Sequence, residues 1–118
     1  FSTGGHPSPV LVKAGGEVEV VESQGPLIGL NENARYKCRS LELGPGDRLF
    51  LFTDGVPETT DHVTGNIIGF DQRLMKLFSD SRCDKTGRFL DSLLQNLDAI
   101  RGTDITEDDL LIIGIEIP

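Results

Sequence analysis

The sequence predicts an α+β fold, with helices on one face of a mainly antiparallel sheet, and three observations carry that prediction. Two β-branched runs flank a Gly-Gly turn between residues 10 and 21. Two mostly apolar runs, 49–53 and 110–117, are bounded by turn-forming or acidic residues. Two further segments, 70–78 and 89–100, repeat apolar residues at helical spacing. Strands, a helical pair and a last strand, in that order, suit a sheet covered by helices on one side.

Taken in order, Val10-Leu11-Val12-Lys13, the turn Ala14-Gly15-Gly16 and Glu17-Val18-Glu19-Val20-Val21 form a β-hairpin. Gln24-Gly25-Pro26 breaks the chain, Leu27 to Leu30 is a short apolar segment, and Arg35 to Leu43 alternates roughly enough to predict a half-exposed strand. The tight turn Gly44-Pro45-Gly46-Asp47 ends it. The continuous run from Arg48 to Thr53 is the expected centre of the sheet, covered on both faces. Phe70, Leu74, Leu77 and Phe78 give the first helical stripe; Phe89, Leu90, Leu93, Leu94, Leu97 and Ile100 give the second. The Asp84 region joins them, Gly102 closes the second helix, and Leu110 to Ile117 is expected as a largely buried strand.

Composition narrows the function. The chain has 118 residues, about one domain's worth, with 37% hydrophobic and 25% charged residues. Eleven basic against 19 acidic residues leave a net charge of −8, which opposes a nucleic-acid or anionic-membrane partner. No stretch approaches the roughly 20 apolar residues of a membrane helix. Cys38 and Cys83 have no paired spacing and read as reduced thiols of a cytoplasmic protein. The opening Phe1-Ser2-Thr3-Gly4-Gly5-His6-Pro7 reads as the interior of a folded element, so the chain is expected to be part of a longer protein.

The acidic residues at strand ends are the chemical signal. Asp54-Gly55 directly follows the run 49–53, and Asp108-Asp109 directly precedes the run 110–117. A carboxylate at the edge of an apolar strand loses hydration and needs a cation, a donor or a proton. If the two strands are neighbours the sites converge, and oxygen-only ligands suit Mg²⁺ or Mn²⁺. The same residues also fit a turn dipeptide and a solvated acidic turn, Glu107-Asp108-Asp109. His6 reads as part of a tight turn, since no second histidine lies near it, and His62 reads as exposed in a polar loop.

Five segments, in order, resemble the SpoIIE/RsbU branch of bacterial PPM-type phosphatases. They are Ser2 to Pro9, Leu27 to Leu30, Leu43 to Asp47, Leu51 to Glu58 and Asp108 to Ile113. The family counterparts read approximately Asn-Ala-Gly-His-Pro-Pro, Pro-Leu-Gly, Leu-x-Pro-Gly-Asp, Tyr-Thr-Asp-Gly-Val-Thr-Glu-Ala and Asp-Asp-Ile-Thr-Leu-Leu-Val. The resemblance implies that residues 1–118 are the C-terminal portion of one PPM-type domain, an α-β-β-α sandwich whose N-terminal portion lies upstream. It implies a metal-dependent serine/threonine protein phosphatase with two Mn²⁺ or Mg²⁺ ions. The substrate it implies is a phosphorylated STAS-type anti-sigma-factor antagonist. Asp54 and Asp108 match the family's metal ligands, with Asp109 adjacent, and no catalytic residue beyond the metal ligands is assigned.

Two departures stand out: Thr3-Gly4 replaces Asn-Ala, and Leu110-Leu111 replaces Ile-Thr after the acidic pair. The family's Gly-Asp-Phe-x-Asp segment, which carries the bridging carboxylate, is not among these residues. The chain alone is therefore expected to hold part of the site, to be inactive by itself, and to self-associate through the uncovered sheet face. The rival functional reading is a degenerate phosphatase fold that docks a sigma-factor regulatory partner through residues 58–69.

Overall fold

In the computed structural model, residues 1–22, 25–83, 85–106 and 108–118 are described. Gln24, Asp84 and Glu107, which the sequence reading placed in connecting turns, lie outside them.

Short β-branched runs give β1 (Val10–Val12) and β2 (Val18–Val20), paired antiparallel with Val10 opposite Val20. Their turn closes through Gly16 N donating to Lys13 O at 2.8 Å, and Arg82 Nη2 reaches Ala14 O at 2.9 Å. β3 (Arg48–Phe52) pairs with β1, and β4 (Ile112–Glu116) pairs with the other side of β3. The order is β2-β1-β3-β4, antiparallel throughout. The hairpin is locked to β3 by Asp47, a buried carboxylate that accepts from Ala14 N and Gly44 N, each at 2.9 Å, and pairs with Lys13 at 3.2 Å.

Between β3 and β4 lie α1 (Gln72–Asp80) and α2 (Thr86–Arg101). α1 starts two residues later than Phe70 because Asp71 caps it, accepting from Arg73 N at 2.8 Å. α2 ends where Gly102 turns left-handed, φ 74°, and its N–H donates to Asp98 O. Leu74, Leu77, Phe78, Phe89, Leu93 and Leu97 point from the helices onto Val10, Val12, Phe50 and Phe52. Phe50 is the hub: its ring centroid lies 4.7 Å from that of Phe89 and 5.2 Å from that of Phe78. Each such side chain contributes about 1.5–3 kcal/mol by leaving water.

Strand geometry sends alternate residues to opposite faces, and the second face is only partly covered. Leu11 is buried there, but Leu49 and Leu51 are half-buried, and Ile113 and Ile115 remain 47% and 42% exposed. This corrects two expectations: β3 is not covered equally on both faces, and the last strand is not largely buried. The physical reason is that both helices lie on one side. The expected strand over 35–43 does not form either. The segment exchanges main-chain hydrogen bonds with the chain's start, Phe1 N to Arg39 O and Arg39 N to Phe1 O, at 2.7 and 2.8 Å. No described helix is long and apolar enough to cross a membrane.

Candidate metal centre

The convergence of Asp54 and Asp108 begins with register. β3 and β4 pair from Arg48 opposite Glu116 to Phe52 opposite Ile112, so Asp54 leaves the sheet beside the segment that enters β4. Thr53 continues the junction past the ladder. Its N–H donates to Leu111 O at 3.0 Å, its hydroxyl donates to Asp109 O at 2.8 Å, and Leu111 N donates to that hydroxyl at 3.0 Å.

Gly55 lets the two segments touch, because a Cβ there would stand 3.0 Å from Asp109 O. After it the chain makes one helical turn: Glu58 N donates to Asp54 O at 2.9 Å, and the Thr59 hydroxyl donates to Gly55 O at 2.7 Å. Residues four apart on such a turn share a side. Asp54, Glu58 and Asp108 accordingly gather, with carboxylate oxygens within 4.8 Å of one another, all three residues exposed.

The donor set consists of hard carboxylate oxygens, the type that divalent Mg²⁺ or Mn²⁺ takes. Three like charges so close repel. Among the described residues none of the three is ion-paired with a lysine or arginine. A cation fits this arrangement, and the two aspartates come from segments that only the β3–β4 ladder brings together.

Asp109, the third residue singled out in the sequence, lies outside the trio; its main-chain carbonyl receives the Thr53 hydroxyl. His6 is also outside it, exposed, with Nδ1 2.8 Å from Pro7 O. His62 is exposed as expected but anchored: its Nδ1 lies 2.8 Å from Ile100 O and its N–H donates to the same carbonyl.

Sequence reasoning passed over Glu58 as a ligand and Thr53 as the brace between strand ends. The four-residue interval from Asp54 was the available signal for Glu58. Nothing in the pattern marks Thr53, whose role arises from a neighbour 56 residues away.

Beside the trio opens a cleft of about 270 Å³ lined by Gly55, Glu58, His62, Arg101, Thr103 and Asp108 among others. One wall belongs to the 58–69 loop, which is itself well tied. Asp61 Oδ1 accepts from Val63 N and Thr64 N, at 2.8 and 3.1 Å, and these amides hold its carboxyl below the usual aspartate range.

A family model, Stage II sporulation protein E (SpoIIE), matches residues 1–118. Among curated proteins, Protein IcfG of Synechocystis sp. (strain ATCC 27184 / PCC 6803 / Kazusa) is 29% identical over 115 residues, covering 98% of this chain and 18% of IcfG. Among solved structures, the PP2C phosphatase domain of SpoIIE from Bacillus subtilis, with a fragment of its regulatory domain, superposes with a TM-score of 0.79. That match is 21% identical and covers 99% of this chain and 33% of the other. The SiaA-PP2C domain of Pseudomonas aeruginosa gives a TM-score of 0.78 at 21% identity, covering 94% and 43%. These structural likenesses establish the fold. The chain spans less than half the length of each of these relatives.

Proposed function

The chain belongs to the SpoIIE family, within the SpoIIE/RsbU branch of PPM-type phosphatases, and from that premise we propose that it supplies part of the metal centre of a protein phosphatase. The substrate in this reading is a phosphoserine or phosphothreonine on a cytoplasmic regulatory protein, of the STAS-type antagonist class. The observation that carries the reading is the gathering of Asp54, Glu58 and Asp108 within 4.8 Å.

Asp54 and Asp108 are the ligands, Glu58 adds a third carboxylate, and Asp109 fixes the loop through its carbonyl. When bound, a pair of divalent ions supplies neutralisation of phosphoryl charge and acidification of a water for in-line attack. The chain's own part is to hold oxygen donors in place. A carboxylate oxygen committed to a cation has its lone pairs engaged there, so Asp54 and Asp108 serve as ligands and not as general bases. Thr53 and Gly55 keep the two segments at contact distance.

The test is Mn²⁺-dependent phosphate release from a phosphoserine protein by the intact protein that carries this chain, beside its Asp54→Asn variant. Metal-dependent turnover that the variant loses is the expected result. An intact protein inert with every divalent ion and with several phosphoprotein substrates would move the assignment to a docking module.

A further inference from the structure

The cleft beside the acidic trio contains a cation whose placement helix geometry alone does not explain. Arg101, the last residue of α2, has a side chain only 10% exposed. One guanidinium nitrogen, Nη2, pairs with Asp98, itself 40% exposed. Its Nε is buried and has no hydrogen-bond partner among the described residues. A basic residue at a helix C-terminus does interact favourably with the helix dipole. That interaction asks only for a nearby charge, which an exposed side chain supplies without losing hydration. Burying a guanidinium N–H unpaired is costly, and native proteins seldom do so without a use.

Arg101 lines the same cleft as Glu58 and Asp108. With a divalent ion on the carboxylates, that cleft offers an anion two cationic groups, the ion and the Arg101 guanidinium, in a chain whose net charge is −8. An anion with several oxygens can engage both, and a guanidinium suits a phosphoryl group through its planar set of donors. Resting on the phosphatase reading above, we propose that Arg101 binds a phosphoryl oxygen in this cleft, on the phosphoester or on the released phosphate. It is a substrate-binding residue in addition to the metal ligands.

The experiment uses the intact protein carrying this chain, supplied with Mn²⁺. It measures Mn²⁺ affinity and inorganic phosphate affinity by calorimetry, and KM and kcat on a phosphoserine peptide. Arg101→Gln is expected to weaken phosphate at least tenfold and to raise KM by a similar factor, with Mn²⁺ affinity within twofold of the parent. Loss in both identifies the phosphoester as an occupant; loss in phosphate affinity alone identifies released phosphate. Arg101→Lys, which keeps the charge at the helix end, is expected to restore only part of either.

Phosphate affinity and KM both unchanged in folded Arg101→Gln protein would overturn the proposal and leave Arg101 as a helix-end cation. Should the glutamine variant fail to fold, Arg101→Lys decides, and phosphate affinity equal to that of the parent would overturn it. Failure of the parent to bind Mn²⁺ would count against the metal centre; phosphate affinity that the parent still shows and Arg101→Gln loses would then support Arg101 by itself, and equal affinity in the two would overturn it.

Discussion

The helix-covered face of the sheet and the loops at its end are held by different forces. On the covered face Phe50, Phe78, Phe89, Leu74, Leu93 and Leu97 are fully buried, and position follows from apolar packing. At the end of β3 and the start of β4, order comes from hydrogen bonds to main-chain atoms: Thr53 to Asp109 and Leu111, Glu58 to Asp54, and Thr59 to Gly55. The three carboxylates there stay exposed, with Asp108 Oδ1 accepting from Asp109 N at 2.7 Å. A core spends its side chains on stability, whereas this end of the molecule holds its backbone so that side chains remain available.

The sharpest way to separate the two regions is to remove one charge without changing shape. Asp54→Asn in the intact protein is expected to lower Mn²⁺-dependent phosphate release at least 100-fold while leaving the melting temperature without Mn²⁺ within about 2 °C or above the parent's, since one repulsive charge is gone. A large fall in melting temperature would mean that Asp54 belongs to the structural region after all. Phe50→Ala should do the reverse, costing about 3–5 kcal/mol in chemical denaturation through lost burial and an unfilled cavity. Thr53→Val tests the brace: the isosteric change removes the hydroxyl's two bonds, at about 1–2 kcal/mol, and Mn²⁺ affinity should fall several-fold.

Acid pH probes a third kind of anchor. Amides of Gly44 and Ala14, with Lys13, hold the Asp47 carboxyl below its ordinary value of 3.8. Its folded form therefore favours the ionised state, so its contribution is complete above pH 3.8 and is lost as pH falls through the lowered folded value. Denaturant titrations should show stability dropping below that pH, with a smaller drop in Asp47→Asn. The smallest effect belongs to the exposed i,i+4 pair Lys76–Asp80 at 2.7 Å. Lys76→Ala should change stability by no more than about 0.5 kcal/mol, less in high salt.

Much of the covered face was legible in the sequence because burial imposes periodicity. The stripes at 74, 77, 78 and at 89, 93, 97 are the residues that fill the core, and the Gly-Gly hairpin pairs as its β-branched runs predict. The segment 35–43 misled because alternation describes a strand only where a neighbouring strand offers a ladder of hydrogen bonds, and here the described bonds are an exchange with Phe1 and one from Lys13 Nζ to Glu42 O. The final strand misled because a mostly apolar run does not say which face the helices cover. At the candidate site, Asp54 and Asp108 were readable as acids at strand ends. Glu58 joins them through one turn of backbone that only its four-residue interval from Asp54 hints at, and the brace at Thr53 exists only in the paired structure.

That pairing makes the acidic trio a product of late folding. Asp54 and Asp108 are separated in sequence by both helices and become neighbours only when β4 closes on β3. Contacts of such long range are made slowly, after the loop between them has given up its freedom. The repulsion among the three carboxylates therefore opposes the closing step far more than the local helices and hairpin. A cation that binds only the closed arrangement would draw folding forward by mass action, so the strength of the β3–β4 closure and the concentration of free metal become two readings of one equilibrium.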